Sequence, residues 1–261
     1  MSINAALTLL TAALGLTVGS FLNVVIYRLR TEEKGFRSRS ACPNCHAVLR
    51  AIDLVPVLSF VLLRGKCRDC RKPISWQYPV VEVSVMVMFL AAFFRHGGAE
   101  VLTNGQWLAL ARDAFFILVL TVVFVIDLID MVVYDSVTIP AALIALVLNV
   151  LTGSPLSGLL LAALIGGGFF LLQWLVSRGK WIGGGDVRIG AMMGAMLGLQ
   201  GVLAALLIAY VVGAIVAVIL LANKKTSWSS QMAFGTFLSF ATVVVLLWGD
   251  RLWALYAGML L

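Results

Sequence analysis

The sequence predicts an all-α membrane protein, a polytopic helical bundle of about eight transmembrane helices with a small zinc-binding cytosolic domain. Three observations lead to this fold class. The 261 residues are 62% hydrophobic and 12% charged, with a mean hydropathy of +1.04, whereas soluble domains are about 45–50% apolar and about 25% charged. Apolar runs near the roughly 20 residues that a membrane helix needs recur along the chain. The one long polar stretch, residues 29–77, contains all 4 cysteines.

Eight apolar runs predict the spans. They cover residues 4–28, 78–95, 107–128, 136–152, 156–177, 187–198, 201–221 and 233–256. We expect the first run to be a retained helix rather than a secretory signal, because its first basic residue, Arg28, follows the apolar run instead of preceding it. The sixth span is short, and its boundary with the seventh depends on glycines near Gly198.

The basic residues predict the orientation in the membrane. Eleven of the 19 Lys and Arg residues lie between Arg28 and Lys72, and cytoplasmic loops are the ones enriched in these residues. With residues 29–77 in the cytosol, five more basic residues fall on the same side: Arg178, Lys180, Arg188, Lys224 and Lys225. The basic loop carries no series of aromatic residues on which bases could stack, so we expect no nucleic-acid partner.

Two C-x-x-C pairs predict a structural zinc site. CPNC places Cys42 and Cys45 on one tight turn, and CRDC places Cys67 and Cys70 on another. Four thiolates complete the tetrahedral coordination of zinc and leave no open position for water. The metal would supply folding energy that the loop's one apolar run, Leu54–Leu63, is too small to provide. Disulfides and a redox pair are the alternatives, although a cytosolic location disfavours disulfides.

Two aspartates, Asp127 and Asp186, are predicted at the cytosolic ends of different spans. An ionisable residue in or at the end of a span is a functional candidate. Two carboxylates that share a site do not both ionise readily, so one can take a proton from water while the other donates to a scissile carbonyl. The alternative is that Asp127 is a solvated loop charge, which is the simplest interpretation of its neighbours Asp130 and Asp135.

Taken together, these motifs resemble the bacterial type IV prepilin leader peptidases, the prepilin peptidase/N-methyltransferase family of GxGD-type aspartic peptidases. The matching stretches keep the family order and are spread over most of the chain. They are GSFLNVVIYRL at Gly19–Leu29, SACPNC at Ser40–Cys45, GKCRDC at Gly65–Cys70, YPVVE at Tyr78–Glu82, ID at Ile126–Asp127 and GGGD at Gly183–Asp186. The PFGP-like stretch of the family reads AFGT here, at Ala233–Thr236.

The resemblance implies a membrane aspartic endopeptidase that cleaves the basic leader of type IV prepilins or pseudopilins after a glycine, on the cytosolic side of the bacterial cytoplasmic membrane. It implies that Asp127 and Asp186 are the catalytic pair and that the four cysteines bind zinc. Many members also N-methylate the new N-terminus with S-adenosylmethionine. The chain would then divide into a first transmembrane helix (1–28), a cytosolic zinc-binding domain (29–77) and a transmembrane aspartic peptidase domain (78–261).

The expected partners are prepilin or pseudopilin substrates and anionic membrane lipids. The basic loop would repel a basic leader, so we expect anionic lipid head groups to be its electrostatic partner. The competing hypothesis is a zinc-regulated membrane transporter or scaffold without peptidase activity, but a transporter should carry its acids near the middle of the membrane. A thiol redox enzyme is a third hypothesis, and it would place the cysteines outside the cytosol.

Overall fold

The computed structural model describes residues 2–31, 40–223 and 232–260, and it is helical, as the sequence predicts. The α-helices are α1 (Ile3–Thr31), α2 (Leu58–Leu62), α3 (Gln77–Arg95), α4 (Trp107–Asp130), α5 (Asp135–Leu151), α6 (Leu156–Ser177), α7 (Gly184–Ala222) and α8 (Phe234–Leu260). Short 3-10 helices lie at Ala51–Leu54 and Gly98–Leu102. Five residues of the predicted cytosolic set fall outside the described residues: Lys34, Arg37, Arg39, Lys224 and Lys225.

Within the part of the chain that the structure describes, six helices are long and apolar enough to cross a membrane, namely α1, α3, α4, α6, α7 and α8. Helix α5 is also apolar but has only 17 residues, fewer than the roughly 20 of an ordinary span. The predicted spans therefore correspond to helices, with ends that shift by a few residues. The chain is a multi-pass membrane protein.

Helix α7 contains both the sixth and the seventh predicted span. The backbone at Gly198 is not helical, with φ 69° and ψ −177°, a combination that glycine adopts readily. A Cβ built on Gly166 of α6 would touch Gly190 and would lie 3.1 Å from Val202. Because Gly190 and Val202 would be about 18 Å apart along a straight helix, the chain turns back at Gly198. The two predicted spans are the arms of a hairpin.

The chain forms two compact units, Met1–Leu110 and Ala111–Leu261. In the first unit α1 packs closely against α3, since a Cβ on Gly15 would lie 2.6 Å from Met86 Cα and one on Gly19 would lie 2.7 Å from Glu82 Cα. Small residues allow such close approach of helices in membranes. The first unit also contains both cysteine pairs.

In the second unit, glycines bring α6 against the first arm of α7. A Cβ on Gly190 would lie 2.5 Å from the carbonyl oxygen of Gly166, and one on Gly194 would overlap the backbone of Ala162. Asp186 lies one turn before Gly190 on the same helix. This contact therefore fixes the start of α7, where the carboxylate lies.

Candidate active site and metal centre

Asp127 lies near the end of α4, and its side chain is buried, with 4% of the residue exposed. Its Oδ2 accepts a hydrogen bond of 2.7 Å from the backbone N–H of Thr236. Thr236 is in the first turn of α8, so the carboxylate faces N–H groups that lack partners within the helix. The positive end of the helix dipole also favours an anion there.

Gly235 leaves room for this contact. A Cβ at that position would lie 2.8 Å from Asp127 Oδ2 and 2.7 Å from Ile189 Cδ1, closer than real Cβ atoms come to such groups. The sequence shows the AFGT stretch but no role for Gly235 or Thr236. The one feature of the sequence that could have drawn attention to these residues is the likeness of AFGT to the PFGP-like stretch of the family. That likeness does not show that Thr236 donates a hydrogen bond to Asp127.

Asp186 is in the first turn of α7 and is also buried, at 8% exposed. Its Oδ2 accepts a hydrogen bond of 3.1 Å from the N–H of Gly183, three residues earlier. Gly185 faces the segment after α4, because a Cβ there would lie 2.7 Å from Val133 Cγ2. The glycines before Asp186 thus allow the start of α7 to approach the chain that follows Asp127.

The structure brings Asp127 and Asp186 together at the start of α8. Ile189 follows Asp186 by nearly one helical turn. The side chains of Ile189 and Asp127 both lie against Gly235. The arrangement provides two buried carboxylates, each oriented by a backbone N–H, which is suited to general acid–base chemistry on a bound water.

The other two aspartates of this region lie at the surface. Asp130 ends α4 and is exposed. Asp135 begins α5 and forms an ion pair with Arg188, with 54% of its side chain exposed. The structure therefore separates Asp127 from the neighbours with which the sequence could have grouped it.

An aromatic cluster beside the start of α8 is a feature that the sequence did not indicate. The ring of Tyr210 lies 5.0 Å from that of Phe234, which lies 6.1 Å from that of Phe170. The Tyr210 hydroxyl donates a hydrogen bond of 3.1 Å to Gln173 Oε1. These residues come from α6, the second arm of α7 and α8, so they meet only because the chain turns back at Gly198.

The four cysteines form one cluster. Their Sγ atoms all lie within 4.8 Å of one another, and those of Cys42 and Cys70 are 3.9 Å apart. A tetrahedral zinc site with bonds of about 2.3 Å needs sulfurs about 3.8 Å apart. The residues present therefore fit a four-thiolate metal site.

Each cysteine pair lies on a turn of the same design. His46 N–H donates to the carbonyl of Cys42 at 2.9 Å, and Arg71 N–H donates to that of Cys67 at 3.1 Å. Although burial raises the pKa of the Cys42 thiol, hydrogen bonds from the backbone of Cys45 and Asn44 lower it to about 7. Although a hydrogen bond from the backbone of Ala47 lowers the pKa of the Cys45 thiol, burial and hydrogen bonds with the other thiols raise it to about 11. Of these two groups, Cys42 is the one whose pKa favours the thiolate, which is the form that binds metals.

Two family models match the chain. The bacterial Peptidase A24 N-terminal domain covers residues 13–96, which include the cysteines, and the type IV leader peptidase family covers residues 114–218, which include Asp127 and Asp186.

Three similar proteins are each named prepilin leader peptidase/N-methyltransferase. The one from Pseudomonas putida is 32% identical over 94% of this chain and 92% of its own length. The relative from Stutzerimonas stutzeri is 31% identical over 96% of this chain and 94% of its own length. The relative from Aeromonas hydrophila is 32% identical over 91% of this chain and 89% of its own length. No solved structure matches the chain.

Proposed function

Since the chain belongs to the type IV leader peptidase family, we propose that it is a membrane aspartic endopeptidase that removes the basic leader of type IV prepilins or pseudopilins after a glycine. The observation that carries this proposal is that the end of α4 and the start of α7, with the buried Asp127 and Asp186, both lie against the start of α8. The competing transporter or scaffold has no support in these relatives, which carry the name of a peptidase.

Asp127 and Asp186 act as the catalytic pair in this proposal. One carboxylate takes a proton from water as the oxygen attacks the scissile carbonyl, and the other, protonated at the start, donates to the carbonyl oxygen. The first carboxylate then passes the proton that it took from water to the leaving amine as the peptide bond breaks. The second carboxylate takes its proton back from the hydroxyl of the tetrahedral intermediate as the new carboxyl group forms. The N–H groups of Thr236 and Gly183 hold the carboxylates in the orientation that both transfers need.

The proposed location is the bacterial cytoplasmic membrane, with the cysteine-bearing domain and the leader in the cytosol. The supporting observation is the clustering of Lys and Arg between Arg28 and Lys72. In the same proposal, residues 1–28 are a first transmembrane helix, residues 29–77 the zinc-binding domain and residues 78–261 the peptidase domain.

We propose zinc as the metal of the cysteine cluster, held by Cys42, Cys45, Cys67 and Cys70. The supporting geometry is the sulfur separation, which suits tetrahedral coordination. A bound zinc ion would contribute folding free energy to a domain with little apolar core. Anionic lipids are the proposed electrostatic partner of the basic residues around it.

N-methylation of the new N-terminus with S-adenosylmethionine is a second proposed activity. Its support is the name shared by the relatives. No residue of this chain is assigned to it.

The test is cleavage of a purified prepilin by the detergent-solubilised protein, followed by mass measurement of the product. We expect cleavage after the glycine without cofactor, and an added methyl group only when S-adenosylmethionine is supplied. Failure to cleave a substrate that the Pseudomonas putida relative cleaves in parallel would overturn the peptidase proposal. An unmethylated product in the presence of S-adenosylmethionine would overturn the second activity alone.

A further inference from the structure

The segment between the two cysteine pairs, residues 54–63, exposes apolar side chains. It contains α2, whose Leu58, Val61 and Leu62 are 54%, 62% and 67% exposed. The segment is too short to span a bilayer. In a domain with so little core, leaving its largest apolar side chains in water would be unfavourable. We call residues 54–63 the interfacial segment.

A hydrogen bond to α3 places the interfacial segment at the depth of the transmembrane helices. The N–H of Val57 donates to Glu82 Oε2 at 2.7 Å. Glu82 is five residues past the start of α3 at Gln77, or about 7 Å along the helix. It is buried against Gly19 of α1, which lies about 13 Å along that helix from the basic residue Arg28. The turn at Val57 therefore lies at the same depth as the transmembrane helices α1 and α3.

The backbone at Val57 is strained, and the contact with Glu82 holds it. Val57 has φ 60° and ψ −48°, and Leu58 N–H donates to the carbonyl of Pro56 at 2.5 Å, which defines a γ-turn. A β-branched residue rarely adopts a positive φ. The buried carboxylate of Glu82 accepts the N–H that this turn exposes. The turn directs α2 away from the core and presents its apolar side chains outward.

Basic residues follow the apolar ones directly. An open groove of about 250 Å³ is lined by Leu62 and Leu63, by Cys67, and by the basic residues Arg64, Lys66, Arg68 and Arg71. Arg68 is engaged, because its Nη2 lies 2.6 Å from Asp53 Oδ1 and holds the pKa of that carboxyl below its usual value. The side chains of Arg64, Lys66 and Arg71 are exposed.

Trp76 extends the same surface. It is 73% exposed, and its ring lies 5.0 Å from that of Phe60, within the interfacial segment. Tryptophan is enriched at membrane–water interfaces. The surface therefore combines apolar, aromatic and basic groups, which are the kinds of group that bind the acyl chains, the interface and the phosphates of an anionic leaflet.

We propose that the interfacial segment inserts Leu58, Val61 and Leu62 into the membrane leaflet next to the cysteine-bearing domain, while Arg64, Lys66 and Arg71 bind anionic lipid phosphates. Glu82 is the positioning residue, since it fixes the turn from which α2 enters the leaflet. The proposal rests on the anionic-lipid partner proposed above but not on the peptidase activity, because the contacts that support it involve neither Asp127 nor Asp186.

The test is photo-crosslinking from Leu62, replaced by benzoylphenylalanine in the full-length protein. The protein is reconstituted with purified prepilin in vesicles of phosphatidylglycerol and phosphatidylethanolamine, illuminated, digested and analysed by mass spectrometry. The exposed Val48, on the first cysteine turn, serves as the control position. We expect phospholipid adducts at position 62 and several-fold fewer at position 48. Because Leu62 is exposed, the probe does not disturb the core.

A lack of phospholipid adducts at position 62 would overturn the proposal, whether the probe reacts instead with prepilin, with this chain or with nothing. A second arm tests the basic residues: the double variant Arg64→Gln/Lys66→Gln should lose the preference for phosphatidylglycerol among the lipid adducts. An unchanged preference would contradict the role given to these two residues. A third arm compares Glu82→Leu with Glu82→Gln, which retains an acceptor oxygen; lipid adducts should fall several-fold only in the leucine variant.

Discussion

At the scale of single residues, each buried aspartate accepts a hydrogen bond from a backbone N–H at a helix start. Thr236 at the start of α8 binds Asp127, and Gly183 before α7 binds Asp186. Backbone donors are held by the helix itself, so they orient the carboxylates without requiring a further side chain to be fixed. Catalysis depends on such orientation, since a displacement of about 1 Å can cost about 100-fold in rate.

The sequence identified both aspartates because charged residues are rare in apolar runs. It could not identify Gly235 and Thr236, because their contribution is a backbone N–H and an absent Cβ. Neither feature leaves a pattern that relates them to a residue 109 positions earlier in the chain.

Gly235→Ala should reduce the rate of prepilin cleavage by about 100-fold, because the new Cβ would push against Asp127 Oδ2 and Ile189. Gly168→Ala is the matched control, since a Cβ there meets nothing within 4 Å. The measurement is kcat/KM of both purified variants. Wild-type activity of Gly235→Ala would contradict the packing described for the site.

Cys67→Ser should lower the zinc content of the purified protein, because a hydroxyl is a poorer ligand than a thiolate for this site. His46→Asn is the control: His46 is exposed next to the first pair, and asparagine tolerates its positive φ of 56°. Metal analysis should show full zinc content in that variant. Equal zinc in wild type and Cys67→Ser would refute a four-cysteine cluster.

At the scale of elements, the hairpin in α7 determines how the second unit is assembled. Hydropathy and the glycines near Gly198 were sufficient to predict two spans there. They could not show that the helix stops for a single residue, because the break is a backbone angle and not a change of composition. The aromatic cluster around Tyr210 likewise follows from the return of the chain, which cannot be seen in a local pattern.

The break exposes carbonyl groups that another helix satisfies. Asn149 of α5 donates its amide to the carbonyl of Ala195 at 2.7 Å and to that of Met196 at 3.0 Å. Its Oδ1 accepts a hydrogen bond of 3.1 Å from Arg112 Nη1, and Arg112 also binds Asp113 Oδ1 at 2.7 Å. This buried network joins α4 and α5 to the turn of the hairpin.

Asn149→Ala should lower the free energy of unfolding by about 1–3 kcal/mol, because it leaves buried polar groups without partners. Asn223→Ala is the matched control: its amide binds one carbonyl, that of Ile219, at an exposed site. The midpoint of thermal unfolding in detergent should fall clearly for Asn149→Ala and little for the control. Equal midpoints would argue against a stabilising role for the network.

At the scale of the whole molecule, the cysteine cluster is proposed to lie on the cytosolic face of the membrane. That assignment comes from the basic residues, since six apolar helices define a multi-pass protein without defining its orientation. The helices were predictable from the sequence because membrane spans need long apolar runs. The orientation of each buried carboxylate was not, because it depends on contacts between distant helices.

Removal of the metal should make Cys45, the exposed member of the cluster, reactive toward a membrane-impermeant maleimide. Inside-out vesicles treated with a chelator should be labelled, and right-side-out vesicles should not, because the domain is placed in the cytosol. Untreated inside-out vesicles provide the control for metal protection. Labelling of the right-side-out vesicles would reverse the proposed orientation.

The proposal that Asp127 and Asp186 together activate water is tested most directly by the kcat/KM for prepilin cleavage by Asp127→Asn and Asp186→Asn. Asn keeps the shape of the side chain but cannot exchange a proton, so each variant should lose about 10²–10⁴-fold in rate. The exposed Asp130→Asn is the control and should keep wild-type activity. Wild-type cleavage by either Asp127→Asn or Asp186→Asn would contradict the account.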